Sequence, residues 1–221
     1  MTGQGVPEAA GLSAINRLAL SYAPVRARSA TLALLALDER LAAILRGLLT
    51  FGREPIAAQL RLAWWRDALA RPVAEWPRGE PVLEALRGWR DPAGLAALAT
   101  GWEALLAADL TPPAIAEFVD GRGQAFACLA RELGVEREED AAQAARLWAL
   151  ADLAANLSDG AERALVVDYG SGLTLPALPA SLRPLAVLAG LGAAALRKGG
   201  APLLDGPGST LLALRIGLSG R

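Results

Sequence analysis

Histidine is absent from this 221-residue chain, and cysteine occurs once, at Cys128. The first absence excludes histidine general bases, Ser-His-Asp and Cys-His catalysis, and the common imidazole metal sites. The second excludes an internal disulfide and a cysteine metal site of the usual spacing. Carboxylates, arginine, lysine and tyrosine are left to carry any chemistry, and Cys128, between Phe126 and Leu129, reads as a core residue. An excess of charge of one sign is also missing. The chain has 22 Lys+Arg against 23 Asp+Glu, a formal net charge of −1, and the basic residues form no stripe. Nucleic acid is therefore not an expected partner. Long apolar runs are lacking too: Leu185–Leu196, twelve residues between Arg183-Pro184 and Arg197-Lys198, falls short of the roughly 20 needed to span a bilayer and reads as a buried helix. The start, MTGQGVPEAAG, has neither the basic region nor the apolar core of a secretory signal, so the expected location is cytoplasmic.

What is present is alanine and leucine in quantity, 53% hydrophobic residues in all, with few β-branched runs. That balance favours helix over strand and gives an all-α expectation. No linker divides the chain, so residues 1–221 read as a single domain, with 1–11 as a flexible start. The pattern predicts helices near 12–21, 29–49, 55–70, 81–89, 92–108, 112–133, 137–158, 179–198 and 208–218. Pro55, Pro81, Pro92 and Pro112 follow the capping residues Glu54, Glu80, Asp91 and Thr111, the arrangement of a helix start. Gly134 is a stop signal, and the glycines and prolines of 160–178 predict a loop with one turn around Glu162–Val167. The tail ends in an amphipathic STLLALRIGL, expected to dock on the body.

The segment 53–71, REPIAAQLRLAWWRDALAR, is the most distinctive. Ile56, Leu60, Ala63, Trp64 and Ala68 fall on one helix face and read as a core stripe. Arg61 and Trp65 stand four apart on a neighbouring face, close enough for guanidinium to lie on indole.

This segment resembles the EP…Q(M/L)RL.WWR(D/E)A(L/I) helix of divergent bacterial members of the squalene/phytoene synthase family and of their mitochondrial relatives that help to assemble respiratory complex I. Weaker likenesses cover ATLALLALDERLAAIL at 30–45, AEFVDGRGQAFACLARELG at 116–134 and ARLWALADLAANLSD at 145–159. The resemblance implies a helical bundle of the isoprenoid synthase type, with about 8–10 helices around a central cavity. In catalytic members two aspartate-rich motifs on facing helices hold Mg²⁺ against the diphosphates of two prenyl substrates. Carboxylates at i and i+4 share a helix face, and oxygen ligands suit so hard a cation.

Where the resemblance places the first motif, the only acids are the adjacent Asp38 and Glu39. The positions four away are Leu34, Leu35, Ala42 and Ala43, so no second carboxylate completes a pair. Asp38-Glu39-Arg40-Leu41-Ala42 is similar instead to the FNVELA-type sequence of the assembly-factor branch; a solvated turn on an amphipathic helix is the plain alternative. In the second region Asp152, Asn156 and Asp159 stand at i, i+4 and i+7, a polar line open to metal or diphosphate, or else to hydrogen bonding in a polar core layer. Arg53, Arg61, Arg66 and Arg122 are the cationic candidates for a diphosphate, since a guanidinium meets phosphate oxygens in pairs. Gly121 and Gly123 beside Arg122 permit close helix packing. Trp64, Trp65, Trp102 and Trp148 are candidates to line a prenyl-sized cavity, or simply to fill the core.

Two functions are consistent with these residues. The favoured one is a degenerate, non-catalytic member that binds an isoprenoid, a lipid or a protein partner, with peripheral membrane contact and no cofactor. The other is a divergent Mg²⁺-dependent prenyltransferase that condenses two prenyl diphosphates.

Overall fold

A computed structural model describes residues 7–51 and 55–220. The expected all-α class is observed: the described residues contain ten α-helices and no strand. They are α1 (Ala14–Ser21), α2 (Val25–Phe51), α3 (Pro55–Ala70), α4 (Pro81–Leu86), α5 (Leu95–Ala104), α6 (Pro112–Glu132), α7 (Glu138–Asn156), α8 (Gly160–Tyr169), α9 (Arg183–Arg197) and α10 (Gly206–Ser219).

Local chemistry explains several of the boundaries. Glu80 caps α4 by accepting from the amides of Val82 and Leu83, and Thr111 caps α6 by accepting from Ala114, each followed by proline at the first helical position. Gly134 ends α6 at φ +69°, where a side chain would strain the backbone. Asp91 behaves differently from expectation. It accepts from Ala93 in a local turn, and α5 begins only at Leu95. Glu54 lies outside the described residues, as does the greater part of the 1–11 start; Ala9–Gly11 form a 3₁₀ turn.

The region 160–178 also departs from expectation, since 160–169 is helical rather than looped. Asp159 supplies the cap that the glycine-rich composition conceals, accepting from the amides of Ala161 and Glu162.

Helices α3, α5, α6, α7, α9 and α10 pack successively, and α2 lies across α3, α5 and α6. The short α1 contacts both α2 and α9, which closes the array into a ring. Glycine makes the tightest of these contacts possible: a Cβ on Gly121 would collide with the carbonyl of Ala97 on α5, and one on Gly123 would meet Arg146 of α7 at 3.1 Å. The apolar 185–196 run is a core helix; the window Ala180–Arg197, the one span among the described residues apolar and long enough to cross a membrane, is 67% buried inside the protein. The C-terminal helix docks on α9 through Ala213 and Ile216.

The stripe assigned to α3 is the main correction to the core. Ile56, Leu60 and Trp64 are exposed, at 66%, 65% and 43%, whereas Ala58, Leu62, Trp65, Ala68 and Leu69 are buried. Helix α3 is apolar on two faces, so periodicity alone does not choose between them. The contacts with α5 and α2 turn the Leu62–Trp65–Leu69 face inward, where each large side chain stabilises by about 1.5–3 kcal/mol.

Candidate functional site: a buried guanidinium beside an apolar cavity

Four helices converge on one side chain. Arg122 projects from the middle of α6 with only 1% of its side chain accessible. Its Nη2 lies 3.0 Å from Oδ2 of Asp38 on α2, and its Nη1 donates to Oδ2 of Asp152 on α7 at 3.1 Å. The indole N–H of Trp102, from α5, donates to Asp38 Oδ1 at 2.8 Å. The guanidinium carbon sits 4.2 Å from the ring centre of Trp148, 4.8 Å from Phe118 and 5.5 Å from Trp102. This is a cation held by two carboxylates and three aromatic rings, nearly out of water.

Burial of this kind is costly to any one charge and tolerable only for the set. Desolvation works against the Arg122 cation, but the fields of Asp38 and Asp152 outweigh it and keep the guanidinium charged. At Asp38 burial dominates and raises the pKa above the ordinary carboxylate range, with Arg122 and the Trp102 N–H offsetting only part of it. Asp152 is the member that sees solvent, its side chain 29% accessible. Asn156 leans back on it, donating to the Asp152 carbonyl at 2.8 Å and contacting Oδ1 at 3.4 Å.

Asp152 and Asn156 open onto a cavity of about 300 Å³. Trp102, Phe118, Leu45, Leu105, Leu110 and Leu153 form its apolar walls. Asp109, Glu162 and Arg46 are its remaining charged lining residues, and Arg46 is turned toward Glu39 at 3.1 Å.

The candidate residues thus separate into groups. Asp38, Asp152 and Arg122 meet in one cluster, which rules out the solvated turn for Asp38. Asp159 does not join Asp152 and Asn156, because α7 ends at Asn156 and Asp159 caps the next helix instead. Trp102 lines the cavity and Trp148 packs on Arg122. Trp64 and Trp65 line a different feature, an outer groove shared with Ile44, Leu60 and Arg61. Arg66 ties α3 to Glu103 of α5 rather than facing the cavity, Arg61 is exposed, and Arg53 lies outside the described residues.

Mg²⁺ of the kind the resemblance implies does not fit this donor set. The two carboxylates that converge do so on a guanidinium, and no group of three or more acidic, histidine or cysteine side chains among the described residues is placed to hold a metal ion. Glu39, beside Asp38, has a structural role with no local sequence signal. It accepts from the Ser13 amide at 2.9 Å and Asn16 Nδ2 at 2.8 Å, pinning α1 to α2. These hydrogen bonds and that of Arg46 outweigh its burial and hold its pKa below the usual glutamate range.

In comparison with known proteins, no family model, no curated protein and no solved structure matches this chain.

Proposed function

We propose that this protein is a non-catalytic binding protein, a degenerate relative of the squalene/phytoene synthases, whose cavity between α2, α5, α6 and α7 accepts an elongated apolar molecule such as an isoprenoid. One observation carries the reading: the Arg122 guanidinium occupies the space between Asp38 and Asp152, beside an apolar cavity of about 300 Å³. That volume lies at the small end of the range for ligand sites. Departure of diphosphate requires several kcal/mol of charge stabilisation, commonly supplied by bound metal. Here the two converging carboxylates already neutralise an internal cation. The exposed Ile56–Leu60–Trp64 ridge on α3 supports the second half of the reading, contact with a membrane surface or a partner protein.

The test is pyrophosphate release from farnesyl diphosphate with and without Mg²⁺, run beside calorimetric titration with farnesol. The reading expects saturable farnesol binding and no release. Mg²⁺-dependent turnover that disappears in Asp152→Asn would establish the prenyltransferase in its place.

A further inference from the structure

The cavity's charge specifies the head group of its occupant. Resting on the proposal that the cavity binds an apolar chain, we infer that the preferred ligand is an amphiphile with a cationic head, a primary or quaternary ammonium, rather than a phosphate or diphosphate. Three carboxylates line the cavity, those of Asp109, Asp152 and Glu162, against the single guanidinium of Arg46.

The nearby cations are already committed. Arg46 bonds to Glu39 and Arg122 is shared between Asp38 and Asp152, while Arg163 on α8 lines no part of the cavity and donates to the Leu157 carbonyl at 2.6 Å. Asp109 and Glu162, by contrast, have no ion-pair partner among the described residues, and Asp152 keeps Oδ1, which meets Asn156 Nδ2 at 3.4 Å, beyond its Arg122 contact. A phosphate entering here would face an excess of negative charge from Asp109, Asp152 and Glu162, and like charges repel.

An ammonium meets the opposite field. Trp102 and Phe118 line the same wall but already hold the Arg122 guanidinium, at 5.5 and 4.8 Å, so the preference for a cation rests on the carboxylates. The carboxylates do not converge as a metal cluster would, which suits a bulky organic cation better than a compact metal ion.

Calorimetric titration of the wild-type chain with three C12 probes below their micelle concentrations isolates the head group: dodecyltrimethylammonium, dodecanol and dodecyl phosphate. The ammonium is expected to bind about tenfold or more tightly than the alcohol, the phosphate most weakly, and the ammonium advantage should shrink as salt rises. Asp109→Asn/Glu162→Gln, at residues outside the Arg122 cluster, should reduce that advantage over dodecanol to about twofold. Ala108→Trp, at the exposed mouth, should weaken all three and thereby assign binding to the cavity rather than to the α3 ridge. Phosphate binding as tight as ammonium, or an ammonium advantage that survives the double variant, overturns the inference while leaving the apolar-chain reading in place. Failure of dodecanol and both charged probes to bind in the cavity overturns both.

Discussion

The Arg122 cluster and the α3 ridge invert the ordinary distribution of polarity in opposite ways. At the first, a full charge lies at the centre of the fold, with its side chain 1% accessible; at the second, Ile56, Leu60 and Trp64 stand in solvent. The buried charges are tolerated because each finds its partner within about 3 Å from a different helix, so the cluster fixes how α2, α5, α6 and α7 sit together. The exposed apolar residues have no comparable set of partners; Trp64 meets Trp65 edge to face at 5.1 Å. A buried polar set is thus bound up with the architecture, whereas an exposed apolar set is available for something outside it.

Removing the centre of the cluster has the largest expected effect. Arg122→Met leaves Asp38 and Asp152 without their cation and should cost about 3–5 kcal/mol in chemical denaturation. Adding Asp38→Leu should recover part of that loss, because the uncompensated carboxylate disappears with its partner. Additive losses in this cycle would show that the pair is not coupled.

The adjacent tryptophans sharpen the contrast on one helix. Trp65→Ala should cost about 3 kcal/mol by opening a cavity, whereas Trp64→Ala, which loses an edge-to-face contact with Trp65, should cost about 1 kcal/mol. Equal losses would mean that α3 is rotated from the orientation described.

Two carboxylates give smaller effects of opposite sign with pH. Asp38 holds its proton more tightly in the fold than in the unfolded chain, so ionising it costs stability as pH rises from the ordinary aspartate range, about 3.9, through its raised folded value. Asp38→Asn, which keeps an acceptor for Trp102, should therefore gain relative to wild type as pH climbs through that window. Glu39 is the reverse case. Its contribution is full above the ordinary glutamate range, about 4.3, and is lost as pH falls through its depressed folded value. Glu39→Gln should remove about 1 kcal/mol at neutral pH, and acidification of wild type should release amide-exchange protection in α1 before the core. Stability curves and hydrogen exchange measured against pH check both signs. Least affected should be Leu60→Gln, within about 0.5 kcal/mol of wild type in stability, with any loss appearing only in binding to vesicles or a partner.

More of the cluster was legible in the sequence than its acids alone suggested. Asp38 is four residues from Leu34 and Ala42, Arg122 is four from Phe118 and Phe126, and Asp152 is four from Trp148. Each charge interrupts an apolar stripe, and residues on such a stripe are buried together with it. Two negatives and one positive on three core stripes already imply mutual pairing, since none could be buried alone. The same apolar neighbours that denied Asp38 a second carboxylate were therefore the evidence for its burial. The partnership with Trp102, 64 residues away, had no local signal.

By itself, then, the amino-acid sequence determined the helical class, the starts of α4 and α6 and the stop of α6, because capping residues, prolines and Gly134 act through bonds to backbone only a few residues away. It also determined which chemistries have no residues to perform them. The tertiary structure alone decided which face of α3 is core and that Trp102 joins Asp38 in the Arg122 cluster. Those outcomes depend on which helix lies opposite, and local propensity carries no information about a neighbour contributed from tens of residues away.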